Sequence, residues 1–220
     1  MWRGPRWALL AGAAALVVAC GSAPPPIFHP GGASPAGADG AAGPSSSRLA
    51  QTASQRVTWP PFGRDVHVIM TAWLPADRSE VPAVITAKNF LLAFLYAEYK
   101  GNQDHHWAIY VAGQVSGALT SDLSQPDVTT ESFTGTIRFS HMRAFPDPSM
   151  PGAVDVSECF SNARSANVGL HTGQAIPDTA PSDQRHYRNN DVLAADRAGH
   201  WHVVSVYPVI YYPQAKECTA

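Results

Sequence analysis

His200 and His202 carry the spacing closest to a metal site in this chain. Residues two apart on a strand share a face, so the two imidazoles could supply two ligands to one zinc ion. His186, on what reads as the neighbouring strand, is the candidate third ligand. The competing arrangement keeps both histidines on the solvent side of a hairpin while Trp201 and Val203 fill the core, and it is the expected one. His105-His106 is a poorer pair, because adjacent helix positions point apart; both are expected to be exposed at the start of a helix. No metal and no cofactor is expected. For proton transfer, the strand residues placed to point inward are His141, Arg143, Asp155, Tyr187 and Tyr207, and none of them pairs into a recognisable acid–base motif. Nucleophilic catalysis has no G-x-S-x-G elbow to work from, and no glycine loop is built to cradle phosphate. Tyr207-Pro208-Val209-Ile210-Tyr211-Tyr212-Pro213 is aromatic on both faces. It reads as a strand covered on both sides, or else as a dock for a hydrophobic ligand or a partner protein.

The three cysteines separate by position. Arg3 and Arg6 precede an apolar run from Trp7 to Val18, which ends in Ala19 and Cys20. This is the layout of a secretory signal, and Val17-Val18-Ala19-Cys20 resembles a bacterial lipoprotein box. That resemblance implies cleavage before Cys20 and a diacylglyceryl group on its sulfur. A transmembrane helix needs about 20 apolar residues; this run is shorter and is followed by Gly21-Ser22-Ala23-Pro24-Pro25-Pro26, which breaks a helix. Export to an oxidising compartment then leaves Cys159 and Cys218 as a pair, expected to form a disulfide. A redox dithiol is the alternative, but the pair lacks the C-x-x-C arrangement. Removing the signal takes away Arg3 and Arg6, so 13 of the 15 Lys and Arg remain against 17 Asp and Glu. With no basic run or stripe, no nucleic-acid partner is expected.

These groups must be positioned by a domain that starts well after the signal. Residues 20–54, the lipidated cysteine and a Pro/Gly/Ala/Ser stretch, read as a disordered tether. Residues 55–79 read as an extended arm or a short strand at Val66–Met70, limited by Pro60, Pro61 and Pro75. A helix should begin near Pro82, carry Val84, Ala87, Leu91, Phe94 and Leu95 on its apolar face, and stop at Gly101. A second helix is expected from about Asp104 to Leu123. After Pro126 the period changes to two, with Phe133, Ile137, Phe139 and Phe145 in alternation. Ala153–Phe160 alternates again, with Val154, Val156 and Phe160 on one side. Residues 161–184 have the composition of a long irregular connection. Arg185–Ala195 and His200–Tyr212 read as strands joined by a turn at Asp196-Arg197-Ala198-Gly199.

Helices followed by an antiparallel meander make an α+β domain in which a curved sheet wraps onto helices. The chain resembles the nuclear-transport-factor-2-like superfamily and, more narrowly, small cone-fold lipoproteins of actinomycetes. The resemblance rests on the order of Cys20, the linker, the helix pair, Val156-Ser157-Glu158-Cys159, Gly199-His200-Trp201-His202-Val203 and Glu217-Cys218. It implies a cone domain over residues 80–220, behind a signal peptide at 1–19. It also implies a lipid-anchored position on the extracytoplasmic face of the cell membrane. The leading expectation is a binding or interaction module, serving a protein partner or a small hydrophobic ligand. Two alternatives accompany it: a cone-pocket enzyme of the ketosteroid-isomerase or polyketide-cyclase type, and a structural component of an envelope or secretion assembly.

Overall fold

The computed structural model describes residues 50–51, 55–56, 62–75, 77–177, 185–207, 210–211 and 214–219. The signal at 1–19, Cys20 and all of the 20–54 tether except Ala50 and Gln51 lie outside the described residues, as do Pro208, Val209, Tyr212 and Pro213. The architecture is mixed α/β: one mostly antiparallel sheet and a few helices, of which one is long. The strands are β1 (Ala50–Gln51), β2 (Gln55–Arg56), β3 (Val66–Leu74), β4 (Glu131–Pro146), β5 (Val154–Gly169), β6 (His186–Ala195), β7 (Trp201–Val206) and β8 (Ile210–Tyr211). Across the sheet the order is β1-β3-β4-β5-β6-β7, with β2 also on β3 and β8 also on β6. β3 and β4 run parallel, an arrangement that needs a crossover connection such as the helical stretch between them.

That crossover holds the long helix, α1 (Val81–Tyr99), which packs against β3 to β7. It is buried nearly all round, through Val84, Ala87, Phe90, Leu91, Leu92, Phe94 and Leu95. Its length and apolarity would also suit a membrane span, but here most of that surface is taken up by the sheet and the following turns. The helix ends where glycine permits it. Gly101 has φ +63°, its N–H donates to Glu98, and the N–H of Asn102 reaches back to Ala97 at 2.8 Å. Those two bonds satisfy carbonyls that the helix end would otherwise orphan.

The expected second helix from Asp104 to Leu123 is not continuous. A 3-10 turn at His106–Tyr110 comes first, then an extended step, then α2 (Val115–Leu123) and the short α3 (Pro126–Thr130). The break has a cause. Val111 bridges to Val203 of β7, Ala112 donates to the Val203 carbonyl, and Gly113 turns at φ +73°. The chain therefore protects the β7 edge before resuming as helix.

β5 corrects the expected irregular connection, since it continues to Gly169 and only the later part of 161–177 is loop. Its far half pairs with Glu131–Thr136 of β4, a partner that local composition does not reveal. Register shifts near Thr136/Arg138 and Ser140/Arg143 bend this long hairpin. Next to the first shift Gly135 sits at φ +91°, and a Cβ there would press on the carbonyl oxygen of Arg164. Gly135→Ala is expected to destabilise the domain by about 3 kcal/mol, combining backbone strain with a steric clash. A denaturation midpoint equal to wild type would refute this.

Candidate functional site

The interior face of the sheet is organised in rows perpendicular to the strands. Phe139, Phe160, Tyr187 and Tyr211 are direct cross-strand partners on β4, β5, β6 and β8, forming an aromatic row. Phe160 and Tyr187 stack at 4.6 Å between ring centroids, and Tyr211 follows at 5.8 Å. Two residues further along β5 and β6 the next row is polar, with Glu158 opposite Asn189. The row after that pairs Val156 with Asp191. Glu158, Asn189 and Asp191 are 1 %, 2 % and 0 % exposed, under the same apolar layer that contains Val156, Phe160, Tyr187 and Leu193.

One internal hydrogen bond serves this cluster: Asn189 Nδ2 donates to Glu158 Oε1 at 2.9 Å. Glu158 Oε2, Asn189 Oδ1 and both carboxyl oxygens of Asp191 are buried without a hydrogen-bond partner. No lysine, arginine or histidine is among the buried polar side chains of the described residues. Burial therefore pushes the Asp191 carboxyl up to about 8, with the charge of Asp155 adding to the effect. Burial, and then the neighbouring Asp191, raise Glu158 well above the carboxylate range. The Tyr187 phenol is also driven up, first by burial and then by Glu98 of α1. The result is a buried pair of carboxyls, both raised above the carboxylate range, beside an amide and against an aromatic wall.

Of the residues expected to point inward, only Tyr187 does so with its whole side chain buried. Asp155 and Arg143 alternate with Val154, Val156 and Ala144, which places them on the opposite face. Asp155 is half-buried there, raised by burial and by Asp147 and lowered by Arg188. His141 occupies the β4 bulge at φ +54°, with Nδ1 3.2 Å from Ser140 Oγ. Tyr207 is exposed after β7 and donates its hydroxyl to Asp147 at 3.3 Å.

The cluster itself had a sequence signal. The alternation that puts Val154, Val156 and Phe160 on one face puts Glu158 there too, and Tyr187 carries Asn189 and Asp191 with it.

His200 and His202 do converge, but on a carboxylate. Asp196 Oδ2 lies 3.4 Å from His200 Nδ1 and 3.4 Å from His202 Nε2. Its Oδ1 accepts the backbone N–H groups of Ala198 and His200, which closes the turn and holds Asp196 below its usual pKa. His186 is not brought to them: it pairs with Ser161, whereas His202 pairs with Ala194 at the other end of β6. Eight strand residues separate those levels, roughly 26 Å at strand rise. Among the described residues no group of three or more His, Cys, Asp or Glu is arranged to hold a metal ion. His105 and His106 are exposed, and Asp104 lies 2.9 Å from His106 Nδ1.

On the outer face, Cys159 and Cys218 form a disulfide with Cα atoms 5.0 Å apart. Ala215 and Ile210 pack around it, and Arg188 donates to Glu217 at 3.0 Å beside it. No family model matches this chain, and no curated protein or solved structure matches it either. Its function therefore has to be argued from its own residues.

Proposed function

We propose that this chain is an extracytoplasmic binding module, anchored to the membrane by lipid on Cys20, that takes a small ligand between α1 and the sheet. The single observation that carries the binding part is the Glu158–Asn189–Asp191 cluster. Unpartnered polar groups inside an apolar core cost stability, and groups kept there at such a cost are where function is first sought. The sequence resembles the nuclear-transport-factor-2-like cone, and the mostly antiparallel sheet packed on α1 supports that reading. The Cys159–Cys218 disulfide supports an oxidising compartment and, with it, the signal at residues 1–19.

A second reading is favoured by the raised carboxyl pKa values. A carboxyl that keeps its proton near neutral pH is a competent general acid, so the same interior could serve a proton-transfer enzyme acting on a small hydrophobic substrate. Binding without turnover separates the first reading from the second.

The test uses the full-length protein made in a host that processes lipoproteins. An alkyne-tagged fatty acid should label the wild type and not Cys20→Ala; equal labelling would refute the anchor. The labelled protein, extracted in detergent, should gain thermal stability from members of a small-molecule panel, and Asp191→Asn should lose that gain. A gain of equal size in Asp191→Asn would remove the interior cluster from the binding function.

A further inference from the structure

We infer that the interior cluster recognises an ammonium group on an apolar body, in short a hydrophobic amine. This deepens the binding-module reading and rests on it. The first argument is the inventory of acceptors. Glu158 Oε2, Asn189 Oδ1 and the two Asp191 oxygens have no hydrogen-bond partner, and the one bond inside the cluster takes a single N–H of Asn189. Once a carboxyl gives up its proton, what would complete these groups is a ligand with N–H donors, and a charged donor makes the strongest bonds to a carboxylate. Asn189 matters here independently of the acids. It is an uncharged side chain, 2 % exposed, joined to Glu158 and with its own oxygen unpartnered.

The second argument is the wall. The aromatic row of Phe160, Tyr187 and Tyr211 is adjacent to the Glu158–Asn189 row, and ring faces attract cations. Val156, Leu193 and Val203 line the other side with aliphatic surface. The third is position in the sheet. β7 pairs with β6 as far as Asp191, and β8 pairs from Arg188, so Asn189 lies where the neighbouring strand changes. Tyr211, only half-buried, ends the aromatic row at that edge.

The groups around the pair set the pH behaviour. Asp155 on β5 acts on both carboxyls and Tyr187 on β6 faces Glu158, while Tyr211 on β8 and Glu98 on α1 act on Tyr187. β7 offers only Val206 opposite Asp191. Arg188 lies toward the outer face, where it bonds Glu217. Without ligand the carboxyls hold their protons; an ammonium ion that binds must displace one, which passes to the buffer. Apparent affinity should therefore rise about tenfold per pH unit up to about pH 8 and level off above it, following the Asp191 carboxyl.

Calorimetry on the full-length protein in detergent would use benzylamine and its neutral counterpart, benzyl alcohol. Benzylamine should bind, with affinity about 50-fold higher near pH 8 than near pH 6 and with about one proton released near pH 6, read from buffers of different ionisation enthalpy. Glu158→Gln and Asp191→Asn should each lose most of that affinity and the proton release, and Ser157→Ala, on the opposite face of β5, should keep both. The wild-type proton count needs no variant, so a misfolded mutant leaves the test intact. Absence of benzylamine binding, or binding with no proton released, would overturn the inference. Preference for benzyl alcohol would overturn the amine class while leaving the binding-module reading standing.

Discussion

Taking the protein from about pH 5 to about pH 8 should remove about 4 kcal/mol of folding stability, at about 1.4 kcal/mol per pH unit for one proton. The source is Asp191. Its carboxyl keeps its proton to about pH 8 in the folded state, whereas an unfolded aspartate releases it near 3.8. Between those limits the folded protein binds more protons than the unfolded chain, so stability falls as pH rises. It is fully present below the lower limit and gone above the upper one. Glu158, raised for the same reason, acts in the same direction. Asp147 and Asp196 do not oppose this within the window. Hydrogen bonds, from the Ser149 hydroxyl and from the His200 backbone N–H first, hold them below the usual range, so their contribution is lost only at more acidic pH. Urea denaturation of wild type and Asp191→Asn across the window is the measurement. The variant should lose about one proton's share of the slope, about 1.4 kcal/mol per pH unit, and keep the share that Glu158 carries. A flat wild-type profile, or an unchanged slope in the variant, would mean that Asp191 is ionised in the folded protein.

Opening the disulfide should be nearly as costly. Cys159 and Cys218 are separated by 59 residues, and closing a loop of that size restricts the unfolded chain by about 4 kcal/mol. Cys218→Ala also strips the outer-face contact around Ala215 and Ile210, which has few other apolar residues to sustain it. Denaturation midpoints of Cys218→Ala and of the reduced wild type should both fall, and by similar amounts. Midpoints that stay where the oxidised protein has them would show that the bridge adds nothing. The oxidised wild type, unfolded without reductant, should expose no free thiol from Cys159 or Cys218.

Much of the fold was legible where one element decides its own shape. The apolar periodicity from Val84 to Leu95 and the stop at Gly101 needed no distant partner, and the helix ends there. Legibility failed where a distant strand intervenes. Residues 161–169 look like a loop until Glu131–Thr136 are laid beside them, and Val111 leaves the helical pattern because Val203 offers a bridge. The nine residues of β3 gain their length from parallel pairing with β4, across a crossover that propensity cannot anticipate.

The site divides along the same line. Its facing was readable from alternation in Val154–Phe160, which points Glu158 inward and Asp155 outward. That Glu158 meets Asn189 was not readable, because it depends on the register between β5 and β6. The histidines show the converse. Their shared face was visible from spacing, but the Asp196 carboxylate between them answers to the geometry of the turn.

Glu158 and Cys159 are neighbours that face opposite ways, one into the interior and one toward Cys218. A slip of one residue in β5 would reverse both, exposing the carboxyl and burying the sulfur away from its mate. A chain folded with that slip would hold the two sulfurs on different faces of the sheet. The bridge and the buried acid thus specify one and the same register of β5, from opposite faces of the sheet.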